Sequence, residues 1–93
     1  MRESVRVRGV AIMHDFVVRL EFTDGSTKVV DLEMYLHGEV FAPVRNDPAF
    51  FRLLRVDPQL RTIVWPNGAD IDPDVLYRGL KPAWMQGEAI KHS

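Results

Sequence analysis

Val5-Arg6-Val7-Arg8 alternates apolar and charged side chains, the two-residue period of a strand with one wet face. Gly9 interrupts the alternation, and Val10 and Ile12 resume it on the opposite parity, which predicts a β-bulge at the glycine. His14-Asp15 predicts a turn. Val18, Leu20 and Phe22 then alternate with Arg19, Glu21 and Thr23 in a second strand. Asp24-Gly25 follows as a hairpin signal, because both residues tolerate positive φ. A two-residue turn there pairs Thr23 with Ser26 and sets Glu21 opposite Lys28 and Leu20 opposite Val29, unlike charges on one face and apolar side chains on the other. The pattern predicts a three-stranded antiparallel meander over residues 4–31.

Beyond Asp31 the alternation ends. Leu32-Glu33-Met34-Tyr35-Leu36 predicts one helical turn closed by His37-Gly38, and Val40-Phe41 is a short apolar stretch that Pro43 breaks. Asp47-Pro48 reads as a cap followed by a first-turn proline, starting a two-turn helix that carries Phe50, Phe51, Leu53 and Leu54 up to Arg55. Asp57-Pro58 predicts a turn. Thr62-Ile63-Val64-Trp65 is β-branched and aromatic, hence a fourth strand, stopped by Pro66-Asn67-Gly68. Asp72-Pro73 repeats the cap-and-proline device ahead of a short helix through Tyr77. The expectation for the whole chain is a single α+β domain over residues 1–93. An antiparallel sheet, the N-terminal meander plus the later strand, packs with one or two short helices. Its core spans about residues 5–77, and an irregular tail over 78–93 carries Trp84 and Met85 as its bulky apolar residues.

Composition narrows the function classes. Twelve basic and thirteen acidic residues leave a formal charge of −1, and the most basic stretch is only Arg2, Arg6 and Arg8 on a strand face. Binding nucleic acid unaided needs a dense basic face that releases counterions, so nucleic acid is not expected as a partner. The absence of cysteine removes disulfides, thiolate nucleophiles and thiolate metal sites, and fits a reducing, cytoplasmic setting. No apolar run approaches a membrane span, and none follows Met1-Arg2-Glu3-Ser4 as a signal segment would, so no membrane association is expected.

Chemistry-bearing residues do not converge in the sequence. Asp70, Asp72 and Asp74 have the spacing of a calcium loop's first ligands, but Pro73 sits among them, Val75 replaces the required glycine and Lys81 replaces the closing glutamate. Helix capping by Asp72 is the better account. His14, His37 and His92 lie at no metal-ligand spacing, Ser4, Ser26 and Ser93 in no nucleophile elbow, and the glycines form no phosphate loop. No catalytic residue, metal or cofactor is expected.

Trp65-Pro66-Asn67-Gly68-Ala69-Asp70 is the densest run of unusual residues. Asn-Gly invites a tight turn with positive φ, and the tryptophan beside it serves as a core plug or as a recognition anchor. This run completes a series: Phe22-Thr23-Asp24-Gly25, Val30-Asp31-Leu32, Gly38-Glu39-Val40-Phe41, Asp47-Pro48-Ala49-Phe50-Phe51, Val56-Asp57-Pro58, the stretch Thr62 to Asp70, and Pro73 to Tyr77. In that order, over roughly residues 5–77, the chain resembles the family called domain of unknown function 2442. The resemblance implies a small prokaryotic α+β domain with an antiparallel sheet and no established activity, in some members the antitoxin-like half of a toxin–antitoxin pair. Arg61 stands where that family commonly has glycine, which implies a differently built turn into Thr62.

The sequence thus favours a non-enzymatic protein-interaction module with a small partner protein, its candidate surface formed by Trp65, Asn67, Asp70 and Trp84. The alternative is a small-molecule site or weak enzyme with a cleft near Trp65 and Asp70. Homodimerisation through a sheet edge or the Trp84 tail is open to either.

Overall fold

The computed structural model describes residues 5–81. Strand β1 (Val7–His14), strand β2 (Val17–Phe22) and strand β3 (Thr27–Asp31) form the expected antiparallel meander in the order β1-β2-β3. The alternation does its work in β2: Val18, Leu20 and Phe22 are completely buried while Arg19 and Glu21 face water. Burying side chains of that size is worth about 1.5–3 kcal/mol apiece, and β2, hydrogen-bonded on both sides, anchors the core. The bulge falls at Gly9, with Val7 opposite Phe22 and Gly9 already opposite Glu21, and a second irregularity lies between Ile12 and His14. Arg8 and Gly9 consequently share the outer face. Arg8 Nη2 reaches the Glu21 carboxylate at 2.7 Å, and a Cβ on Gly9 would stand 3.3 Å from a Glu21 carboxylate oxygen.

The second hairpin differs from expectation by one residue. Leu20 is opposite Lys28, Glu21 opposite Thr27 and Val18 opposite Val30, because the loop holds three residues rather than two. Phe22 N–H donates to Ser26 O and Gly25 N–H to Phe22 O, with Gly25 at φ +89°, the left-handed residue that a three-residue loop of this kind places last. Val29 moves to the outer face as a result, and Lys28 to the inner one.

Leu32–Tyr35 forms a 3-10 turn capped by the Asp31 carboxylate, and a further 3-10 turn, Glu39–Phe41, runs into helix α1 (Ala42–Asn46). Pro43 was expected to break the chain; it occupies the first turn of α1, where its missing N–H costs nothing. Helix α2 (Pro48–Phe51) has the predicted Asp47 cap but lasts one turn instead of two, since Arg55 and Val56 leave it to form strand β4 (Arg55–Val56). The later strand, β5 (Ile63–Val64), pairs with β4 in a separate two-stranded sheet rather than extending the meander. Helix α3 (Pro73–Arg78) follows its Asp72 cap as expected. All layers meet in one cluster that joins Val7, Leu20 and Phe22 of the meander to Leu32, Leu36, Val44, Phe51, Trp65, Ile71 and Leu76.

Candidate functional site

Trp65, the residue after β5, is 2% exposed. Its ring lies edge-on to Phe41 and beside Phe51, each with centroids 6.0 Å away, and its indole N–H donates to Phe51 O at 3.0 Å. The donor that a buried indole must satisfy is therefore satisfied inside the fold. Of the two roles open to this tryptophan the structure selects the core plug.

The turn above it is exposed and tightly closed. Trp65 N–H donates to Ala69 O, Gly68 N–H to Trp65 O, and Gly68 sits at φ +91°. Asn67 fastens the turn twice: Oδ1 accepts from Ala69 N–H, and Nδ2 donates to Val40 O at 2.8 Å. Asp70 bridges to Val64 through its backbone and leaves its carboxylate at the surface. Pro66, Asn67, Gly68 and Asp70 thus form an exposed knuckle, flanked by the half-exposed Val40 and pinned from below by Trp65. Trp84, the remaining candidate, lies outside the described residues.

A second cluster escaped sequence reasoning. Asp24, at the tip of the meander's second hairpin, accepts from Ser26 Oγ at 2.6 Å, from Ser26 N–H at 2.9 Å and from Tyr77 Oη at 2.7 Å. Lys28 Nζ donates to Tyr77 O and lies 5.7 Å from the Tyr77 ring centre. The Ser26 hydroxyl, followed by the Tyr77 hydroxyl and the Ser26 amide, holds the Asp24 carboxyl at a pKa of about 2. The same bond to Asp24 raises the pKa of the Tyr77 hydroxyl. This is the wrong tuning for general acid–base work: so acidic a carboxylate is a feeble base, and a phenol held as a donor is no nucleophile near neutrality. The cluster is a clasp between the hairpin and α3. Nothing in local sequence marks it, since Asp24 and Tyr77 are 53 positions apart; the only available sign was the Asp24-Gly25-Ser26 turn chemistry.

Four other carboxylates serve as caps. Asp31, Asp47, Asp57 and Asp72 each accept from a backbone N–H two residues on. Among the described residues no three His, Asp or Glu side chains gather as a metal site, and no helix is long and apolar enough to cross a membrane.

A family model described as "Protein of unknown function (DUF2442)" matches residues 7–82. The chain belongs to that family, as its motifs suggested. No curated protein and no solved structure matches it.

Proposed function

We propose that this member of the DUF2442 family is a non-enzymatic module that recognises a small partner protein through the knuckle Pro66-Asn67-Gly68 with Asp70 and Val40. One observation carries the reading: the most distinctive run of the chain buries its tryptophan as a peg and holds the residues around it rigidly at the surface. Such a surface binds without first paying the ordering entropy of a loose loop. Among the described residues, Asp31, Asp47, Asp57 and Asp72 are engaged in capping and Asp24 with Tyr77 in clasping, which supports the same reading. Its finer form is the neutralising half of a toxin–antitoxin pair.

The test is co-expression with the products of neighbouring genes. One small partner co-purifies with the wild-type chain and is lost from the double variant Val40→Glu, Asp70→Lys, whose unfolding transition stays at the wild-type midpoint. Elution alone, or retention of the partner by the variant, overturns the proposal. In the finer form, the partner expressed by itself arrests growth and co-expression restores it.

A further inference from the structure

Where the β1–β2 turn meets α2 the surface holds a hollow of about 200 Å³, lined by Asp15, Phe16, Pro48, Phe51 and Arg52. The chain builds it from both sides. Asp15 takes φ +46°, a left-handed conformation that aspartate tolerates better than most residues, and the chain thereby reverses between the paired His14 and Val17. Phe16 is fixed through its carbonyl, which accepts from Leu32 N–H. On the other side Asp47 caps α2 and Pro48 opens it, while Phe51 N–H and Arg52 N–H close its single turn on Asp47 O and Pro48 O. The Phe16 and Phe51 rings meet edge to face, with centroids 5.1 Å apart.

Size and chemistry both restrict what such a hollow can hold. An apolar cavity of about 150 Å³ accepts benzene, and drug-sized ligands need about 300 Å³ or more, so this volume suits one aromatic or branched side chain. Two rings and a proline supply its apolar part, and charges of opposite sign complete the lining. Arg52 is exposed and forms no ion pair among the described residues. The Asp15 side chain is 89% exposed and touches the neighbouring His14 ring at 3.4 Å. A wholly apolar ligand would desolvate both charges in part and return nothing to them. A ligand that carries one anionic and one cationic group beside an apolar body answers all three parts of the lining.

We infer that this hollow binds a free α-amino acid with a large apolar side chain. The α-carboxylate meets the Arg52 guanidinium, whose planar fork suits it, and the α-ammonium meets Asp15. The side chain lies against Phe16, Phe51 and Pro48. Both charged groups of the protein are open to water, which screens them, so a ligand this small binds with a dissociation constant on the order of 1 mM. The site shares no residue with the knuckle, and its test is independent of the partner protein proposed for that surface.

Titration of the chain with phenylalanine, followed through backbone amide resonances, tests this. Saturable shifts are expected at Asp15, Phe16 and Ala49 to Arg52. Glycine, which has both charges and no apolar body, and phenylalaninamide, which lacks the carboxylate, bind at least about fivefold more weakly. Arg52→Gln weakens phenylalanine to a similar degree. So does Asp15→Asn, which keeps a residue suited to the left-handed turn. Arg55→Gln, outside the hollow, binds as wild type does. Unchanged amide spectra away from the site show that each variant is folded before it is scored. The absence of saturable shifts well above the expected dissociation constant overturns the inference. So does equal affinity for glycine or phenylalaninamide, or an Arg52→Gln or Asp15→Asn chain that binds like wild type. N-acetylphenylalanine that binds as tightly as phenylalanine also overturns it, because the occupant would then be the terminal residue of another chain.

Discussion

Two turns in this protein are built alike from unrelated stretches of chain, Phe22-Thr23-Asp24-Gly25-Ser26 and Trp65-Pro66-Asn67-Gly68-Ala69. Each begins with a buried aromatic residue, whose N–H donates to the carbonyl four residues on and whose carbonyl accepts from the glycine N–H. Each glycine is left-handed, at φ +89° and +91°. In each, the Asp or Asn side chain accepts from the N–H two residues ahead. They differ in what the third residue does next. Asp24 takes protons in hydrogen bonds from Ser26 and Tyr77 and is ionic; Asn67 gives one to Val40 and is neutral. The backbone geometry therefore belongs to the aromatic-x-Asx-Gly pattern, and the tertiary attachment to the choice between acid and amide.

The aromatic pegs carry the largest effect. Trp65→Ala removes the ring packed against both Phe41 and Phe51 and takes from Phe51 O one of its two donors, leaving it the Leu54 N–H. Chemical denaturation should record a loss of about 3–5 kcal/mol, and Phe22→Ala, under the other turn, a loss of the same order. A difference between the two well beyond that range would mean that one turn is only a passenger on its strand.

The glycines come next. A Cβ at Gly25 or Gly68 would meet nothing within 4 Å, so replacement by alanine costs only the left-handed conformation, about 1–2 kcal/mol at either position. A third turn supplies the converse. Arg61, before β5, takes φ +59° and has its N–H on Asp57 O, so the conformation natural to glycine is held here by a branched-free but Cβ-bearing side chain. Arg61→Gly should stabilise the protein by about 1 kcal/mol, less what the freer glycine adds to the unfolded chain. Opposite signs in thermal unfolding at Gly68 and Arg61 are the expected outcome, and equal signs would separate the turns from their backbone chemistry.

These turns also show what was legible in the sequence. The alternation in β2 and the Asp-Pro caps depend on neighbouring residues and were read correctly from them. The register of the second hairpin was not, because Asp-Gly signals a turn without stating how many residues it holds; the closer guide was the aromatic-x-Asx-Gly spacing shared with Trp65 to Gly68. Pro43 was misread because proline breaks a helix interior yet suits its first turn, and only the packing of Val44 in the core decides which applies. The Asn67 side of the candidate site was visible as turn chemistry. Its attachment to Val40 and the Tyr77 clasp join residues far apart in the chain, a pairing that local patterns do not encode.

The smallest effect separates the turns most cleanly, because only one of them can titrate. Asp24 is held at a pKa of about 2, below the ordinary carboxylate value, so the folded state prefers it ionised. Its contribution is fully present above the unfolded carboxylate range and fades as the pH falls toward 2. Asn67 closes its turn by the same backbone bonds with no proton to gain. Asp24→Asn makes the first turn chemically like the second, and should unfold at lower denaturant than wild type near neutrality, with the gap closing by pH 2. Amide exchange refines the contrast: acid should speed exchange at Ser26 relative to Ala69, whose acceptor is the Asn67 amide. Asp57, lowered chiefly by the Leu60 and Gln59 amides, should loosen the third turn over the same acid limb. A gap between wild type and Asp24→Asn that persists unchanged at pH 2 would show that the Tyr77 contact stabilises by packing and not by charge.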